Sequence, residues 1–405
     1  MAELAPFRAL RPPRALAARV ASPPYDVVST EEARALAAGN ADSYLRVSRP
    51  EIDLPAGTDE HSDVVYAQGP RNLADLVARG VLVGDPEPHF YVYAQRMGAH
   101  RQVGLVACAS VAEYVDDRIK KHEKTRADKE DDRVRHITEL AAHDEPVFLT
   151  YRAVGAIDAL VARAMQGEPE YDFAAADGVE HRLWVVGSAL GGELAAAFAR
   201  QVPALYVADG HHRSAAAARV HAALGAAPGE HGVFLAVVFP HDQMQILPYT
   251  RLVRDRQGRS PAALLAALSL VWDVEPAARP EPESAHTFGL YLDGKWYRAR
   301  VRPGSFPEGD PVASLDCSIC QDQVLAPLFG IEDPRRDRFI DFIGGIHGAR
   351  GIAARVDRGD AVLGIYLHPT SIDSLMAVSD AGRLMPPKST WFEPKLRSGL
   401  FVHRF

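Results

Sequence analysis

Leu205-Tyr206-Val207-Ala208 is a short apolar run. It ends in Asp209-Gly210-His211-His212-Arg213 and passes directly into an alanine-rich stretch. That order predicts a strand, a tight turn and a helix. A helix start presents main-chain N–H groups and the positive end of the dipole, where an anion can bind. Gly210 lets the backbone approach such a ligand closely. Arg213 offers a planar two-pronged donor for phosphate. Asp209 beside the anion then reads as a general base or a metal ligand. The plain structural alternative is an Asp that caps the helix next to two solvated histidines. So many polar groups crowded between an apolar strand and an apolar helix favour the functional reading.

Two further stretches carry suitable residues. Lys120-Lys121-His122-Glu123-Lys124-Thr125 gathers cations around one carboxylate, which could hold a polyanion together with a metal or base. Composition alone favours a solvated charged face there, and Asp128 to His136 has the spacing of a helix laced by surface ion pairs. Met385-Pro386-Pro387-Lys388-Ser389-Thr390-Trp391-Phe392-Glu393-Pro394-Lys395 is too rich in proline and charge for a core strand. Its lysines could reach phosphate oxygens, and its hydroxyls could donate hydrogen bonds. A structural strap whose aromatics fill a groove accounts for it equally well. Cys317-Ser318-Ile319-Cys320 lies among apolar residues at helical spacing and has no second ligand pair, so it reads as core filling. No P-loop, dinucleotide fingerprint or G-x-S-x-G elbow is present.

Positioning these residues requires a mixed fold. His89 to Gln95 and Gln102 to Tyr114 predict a hairpin turned through Met97-Gly98-Ala99. Strands are expected at Pro146 to Tyr151, Arg182 to Val186, Ala204 to Val207 and Gly232 to Phe239. Helices are expected at Ala156 to Met165, Glu193 to Arg200 and Ser214 to Leu224. Before them, a helix capped by Thr30 and a second one at Asn72 to Arg79 are expected. Afterwards come a hairpin at Thr287 to Val301 turned by Asp293-Gly294, a helix near Leu315 to Leu328, a strand at Ala361 to His368 and a helix at Ser371 to Ser379. The resulting division is 1–85, an N-terminal segment; 86–253, an α/β phosphate-binding core; 254–360, an α+β subdomain; and 361–405, a strap returning to the site.

The chain has 405 residues, more than one ordinary core accommodates. Its 53 acidic against 45 basic residues give a net charge of −8, which argues against nucleic acid as the main partner. Three cysteines cannot staple a chain this long and point to a reducing compartment. No apolar run has the roughly 20 residues that span a bilayer, and none resembles a secretory leader. A cytoplasmic protein with small-molecule substrates, monomeric or homodimeric, is expected.

Ser22-Pro23-Pro24-Tyr25-Asp26-Val27-Val28, the Lys120 to Thr125 run, Ala208 to Arg213 and Met385 to Lys395 together resemble the marks of the domain-of-unknown-function family 1015. The Asp-Gly-His-His-Arg turn also resembles the phosphate-binding turn of the ParB/sulfiredoxin-like superfamily, which includes free serine kinases, some using pyrophosphate. The resemblance implies an α/β (α+β) fold: a ParB/sulfiredoxin-like mixed core, an N-terminal α/β extension and a C-terminal α+β subdomain. It implies phosphoryl transfer from pyrophosphate or a nucleotide to the hydroxyl of free L-serine, with Mg²⁺ as cofactor through Asp209 or Glu123. Asp209 would be the base. Gly210, His211, His212 and Arg213 would cradle the donor. Glu123, with His122, would orient substrate or hydrated magnesium, and Lys388, Ser389, Thr390 and Lys395 would close over the anion. Tyr25, Asp26 and Trp391 are lesser substrate-binding candidates. Histidines stand where sulfiredoxin-like chemistry needs a cysteine. A phosphatase using the same anion site, an idle scaffold and a ParB-like nucleotide- or DNA-binding regulator remain alternatives.

Overall fold

The computed structural model describes residues 2–405, which form two compact units. The first comprises residues 2–121, 125–244 and 394–405, and the second comprises 122–124 and 245–393. The strap expected at 361–405 therefore divides: 361–393 lie in the second unit and 394–405 in the first. The fold class is mixed α/β, as expected.

A nine-stranded sheet organises the first unit. Its strands are β1 (Leu4–Ala5), β2 (Phe90–Met97), β3 (His100–Ser110), β4 (Ile119–Lys120), β5 (Val147–Tyr151), β6 (Tyr171–Ala174), β7 (Glu180–Val186), β8 (Leu205–Asp209) and β9 (Val233–Pro240). Their spatial order is 4-8-5-9-3-2-7-6, with β1 paired to β3. Parallel pairs (β8 with β4, β9 with β5) mix with antiparallel ones (β8 with β5, β9 with β3). The helices are α1 (Thr30–Leu36), α2 (Asp63–Ala78), α3 (Ala127–Leu140), α4 (Gly155–Ala164), α5 (Ser188–Gln201) and α6 (His211–Ala223).

Alternation along β2 explains both layers. Phe90, Val92 and Ala94 join the core that packs against α4 and α5 through Ile157, Leu194 and Phe198. Tyr91 and Tyr93 face the other way and meet Phe401 of the C-terminal segment, at ring centroid distances of 5.1 and 6.4 Å. Both faces of the sheet are covered, so the strands read as continuous apolar runs.

Several expectations need correction. The cap of α1 is Ser29, not Thr30. The Ser29 hydroxyl accepts from Glu32 N while the Glu32 carboxylate accepts from Ser29 N, a reciprocal capping box. The helix expected at Asn72 to Arg79 begins earlier, as α2, and runs through Pro70. Burial of Val65, Tyr66, Leu73 and Leu76 outweighs the local breaker. Strand β3 stops at Ser110, which caps a single helical turn, Val111–Val115.

The largest correction concerns α3. Its outer pairs, such as Arg135 with Asp63 and Arg219 with Asp131, lie at the surface as expected. Asp132, Arg133 and His136 are buried instead. Asp132 accepts from Tyr66 at 2.6 Å and from Arg133 at 2.8 Å, and the Arg133 guanidinium lies 3.7 Å from the Tyr25 ring centre. His136 bonds Asp144 at 3.0 Å.

The second unit carries a six-stranded antiparallel sheet of β10 (Tyr249–Val253), β11 (Asp273–Pro276), β12 (Thr287–Leu292), β13 (Lys295–Arg300), β14 (Ile340–Gly344) and β15 (Leu363–Leu367), ordered 11-13-12-15-10-14. Asp293 and Gly294 both have positive φ, as the expected two-residue hairpin turn requires. Cys317 and Cys320 are buried and reduced on Asp316–Cys320, so the core-filling reading stands. Among the described residues, no helix is long and apolar enough to cross a membrane.

Removing one member of a buried ion cluster strands its partners. Arg133→Ala should therefore lower unfolding free energy by about 3–5 kcal/mol in denaturant titration. A loss within error of zero would mean that the cluster is not coupled to folding.

Candidate functional site

The chemistry-bearing turn sits at the end of β8. Tyr206 pairs with Thr150 and Val207 with Leu149, but Asp209 pairs with Phe148, so Ala208 is bulged out. A bulge re-aims the side chains beyond it. Gly210 follows with φ +92° and caps α6. A Cβ at Gly210 would lie 2.9 Å from Arg213 Nε, so only glycine fits on both counts. The Asp209 Oδ1 atom accepts from Gly210 N at 2.8 Å.

Lys395 completes the corner. Its ammonium donates to Asp209 Oδ2 at 2.7 Å. The C-terminal segment that carries it is pinned at several points. Gln95 on β2 donates to Lys395 O at 2.8 Å, and Gln102 on β3 in turn donates to Gln95 at 3.0 Å. Arg397 is buried beside His181 and Asp177, and Ser22 and Ser398 exchange main-chain hydrogen bonds. Burial works against a charge on Asp209. The Lys395 ammonium and then the Arg213 guanidinium more than offset it, helped by the hydrogen bonds from Lys395 and Gly210. The carboxyl is held far below the usual range and stays ionised.

Arg213 points inward. Its guanidinium is buried, donates to Pro146 O at 2.6 Å, and acts electrostatically on Asp26, Glu145 and Asp209. His212 accepts from Arg126 N through Nε2 at 3.1 Å, which fixes its neutral tautomer with the proton on Nδ1; burial lowers its pKa. His211, also buried, opens the helix. Tyr25 is buried and Asp26 exposed, on the short turn Tyr25–Val27. Tyr25 N donates to Glu145 Oε1 at 3.0 Å, and Ser398 Oγ donates to the same oxygen at 2.7 Å.

The structure thus brings Asp209, Gly210, His211, His212, Arg213, Lys395, Tyr25 and Asp26 together in the first unit. His122, Glu123, Lys388, Ser389, Thr390 and Trp391 belong to the second. There, Met385 N donates to His122 O at 2.7 Å. Ser389 is buried, its hydroxyl turned to Pro386 O and Cys317 Sγ, so that donor serves the strap itself. The Lys388 ammonium lies 5.4 Å from the Tyr249 ring centre, at an exposed residue with φ +58°. Thr390 is half-buried and leads into Trp391–Phe392, which pairs with Ile246–Leu247. The Trp391 ring lies over Gly344, where a Cβ would come within 2.8 Å of it.

Matching the chain to known families gives one clear result. The model described as "Protein of unknown function (DUF1015)" covers residues 4–318. The chain belongs to the DUF1015 family. No curated protein matches this DUF1015 chain. Solved structures similar to it include a conserved hypothetical protein from Pyrococcus furiosus (13% identity, TM-score 0.36, 71% of this chain and 92% of that one). A free serine kinase in complex with AMP (14%, 0.35, 70% and 89%) is another. A third is SbnI with a C-terminal truncation from Staphylococcus aureus (14%, 0.38, 74% and 87%).

Sequence reasoning missed Glu145. It lies in the plain run His143-Asp144-Glu145-Pro146, and only the fold surrounds it with Asp144, Arg213, Arg133 and Asp26. Burial first, then Asp144, push its carboxyl up from 4.5 to about 7, against the two arginines. The folded state therefore holds this proton more tightly than the unfolded chain. Its contribution is complete below pH 4.5 and is lost as pH rises through about 7. Glu145→Gln should flatten the fall in stability across that window, read from denaturant midpoints. Parallel pH profiles for the two proteins would reject the assignment. Gly210→Ala should cost about 1–3 kcal/mol, seen as a lower melting temperature, because it forces a strained φ and displaces Arg213.

Proposed function

We propose that this chain is a phosphotransferase acting on a small alcohol, with the Asp209 corner as its reaction centre. One observation carries the reading: an ionised carboxylate and an ammonium, 2.7 Å apart, stand at the start of a thirteen-residue helix behind a glycine that admits close approach. Phosphoryl transfer asks for positioning and charge neutralisation more than for covalent help. The helix start and Lys395 supply positive charge for the transferring phosphoryl group.

The ion pair also sets the timing. While Lys395 holds Asp209, the carboxylate is a weak base. A phosphate that draws the ammonium onto its own oxygens removes the largest influence keeping the Asp209 pKa low. Asp209 then gains basicity only when donor is bound, and it accepts the proton of the attacking hydroxyl. Arg213, from its buried place, keeps Asp26, Glu145 and Asp209 balanced and fixes the turn from behind.

Magnesium fits this chemistry. Mg²⁺ is commonly held through substrate phosphates with only one or two protein carboxylates. When bound, the ion would neutralise phosphate charge through the donor's own oxygens, leaving Asp209 as the base.

Within this reading, free L-serine is the acceptor, and pyrophosphate or a nucleotide is the donor. Support comes from the sequence marks at Ser22–Val28, Lys120–Thr125, Ala208–Arg213 and Met385–Lys395. Absence of a P-loop suits a donor with no base to grip.

The test is incubation with L-serine, Mg²⁺ and, separately, pyrophosphate, ADP and ATP, scored for phosphoserine. Asp209→Asn should reduce transfer by at least about 100-fold while the protein remains folded, as read by a cooperative melting transition. Lys395→Ala should raise the apparent KM for donor and shift the rate profile to higher pH as Asp209 regains an ordinary pKa. Full activity in Asp209→Asn would remove the base. The same assay on Glu123→Gln and Lys388→Ala tests the roles that the resemblance gives those residues.

A further inference from the structure

A cavity lies in the first unit, lined by none of the residues of the Asp209 corner. Its volume is about 270 Å³, close to the lower end of small-molecule pockets, roughly 300 Å³. Val103 and Leu105 of β3 and Val238 of β9 form an apolar floor, and Val161 and Met165 on and just after α4 form a wall. Tyr151, at the far end of β5, also lines it. Asp209 pairs with Phe148 on the same strand, three residues before Tyr151. At 3.3 Å per residue, the two places are separated by roughly 10 Å along β5.

Two charged residues line this apolar hollow, Asp158 and Arg101. Among the described residues neither is ion-paired, and Arg101 is exposed to solvent. Asp158 is half-buried, and Asp242 adds a second negative field to it. Burial first, and then Asp242, raise the Asp158 pKa, so its charge is poorly compensated by the protein. Gln243 uses its carbonyl oxygen to accept from Val103 N at 2.9 Å, which fixes the amide at the rim.

Proteins generally pair a charge that sits over apolar surface. Here the half-buried Asp158 carboxylate has no cation paired with it, and the exposed Arg101 guanidinium places a positive charge at the same largely apolar cavity. The complementary ligand carries an ammonium for Asp158, a carboxylate for Arg101 and an apolar body between or beside them. We propose that this cavity binds a small apolar zwitterion, a free amino acid with an aliphatic side chain, at a site separate from the phosphoryl-transfer corner.

The test uses L-leucine and two analogues, each lacking one charge: 3-methylbutylamine and 4-methylpentanoate. Binding is followed by calorimetry and by chemical shifts of the full-length protein. L-leucine should bind with a millimolar or tighter Kd. Asp158→Asn should weaken L-leucine and the amine by about tenfold or more and leave the acid unchanged. Arg101→Gln should weaken L-leucine and the acid and leave the amine unchanged. Ala162→Phe, which fills the hollow, should abolish all three. Asp209→Asn should bind L-leucine as wild type does, so loss of phosphoryl transfer and loss of this site are read separately. No binding of L-leucine by the wild type would overturn the proposal. So would equal affinity in Asp158→Asn and Arg101→Gln, or binding of the amine alone.

Discussion

Lys395 reaches Asp209 across 186 residues of sequence, and the contact is a hydrogen-bonded ion pair of 2.7 Å. An ammonium carries large rotamer freedom, so holding it there requires its main chain to be fixed. Gln95 and Gln102 do this from the hairpin, and Arg397 and Ser398 do it from the following residues. The C-terminal segment is therefore part of the corner, although it joins the first unit last. A truncation that removed it would leave Asp209 with Arg213 as its main positive neighbour.

Behind that corner lies a second constraint. Arg213 and Arg133 are buried with Glu145, Asp144 and Asp132. Burying charges costs more than most pairs return, so such clusters persist where each member is bonded. Glu145 shows how the balance is struck. One oxygen takes two hydrogen bonds, from Tyr25 N and Ser398 Oγ, while the other is buried without a partner. A carboxyl in that state prefers its proton, and its raised pKa is the result. The cluster, on α3, α6 and the β5 entry, is bonded to the Tyr25 turn and the C-terminal segment, and Arg213 links it electrostatically to the residue proposed as base.

Apolar runs and turn residues made part of this legible. The hairpin of β2 and β3 shows as two apolar, Val- and Tyr-rich runs closed by a positive-φ glycine, and the strand-turn-helix at Asp209 carries its punctuation in Asp-Gly. What resisted reading has one physical character: tertiary burial overriding a local signal. Pro70 sits inside a helix because Tyr66 and Leu73 are buried around it. Asp132, Arg133 and His136 look like solvated charges until β5 and Tyr25 are laid against them. The Ala208 bulge has no local signature, since nothing in Leu-Tyr-Val-Ala-Asp announces an extra residue. Lys395 was visible as a cation but not as the partner of Asp209, because pairing at such separation is set by the sheet.

The pair also constrains what the corner can do at rest. An aspartate held by an ammonium and a guanidinium is always ionised but has little appetite for a proton. A general base with that environment is useful only if ligand binding changes the environment. Lys395 is the element able to change it, since a lysine ammonium is a single charge on a flexible stem, whereas Arg213 is locked to Pro146 O. In the proposed reaction the labour divides by chemistry: the guanidinium is fixed and structural, and the ammonium would pass from carboxylate to phosphate. In the proposed reaction, basicity at Asp209 would appear only with donor in place, which would protect against proton abstraction from an alcohol that has no phosphoryl group to attack.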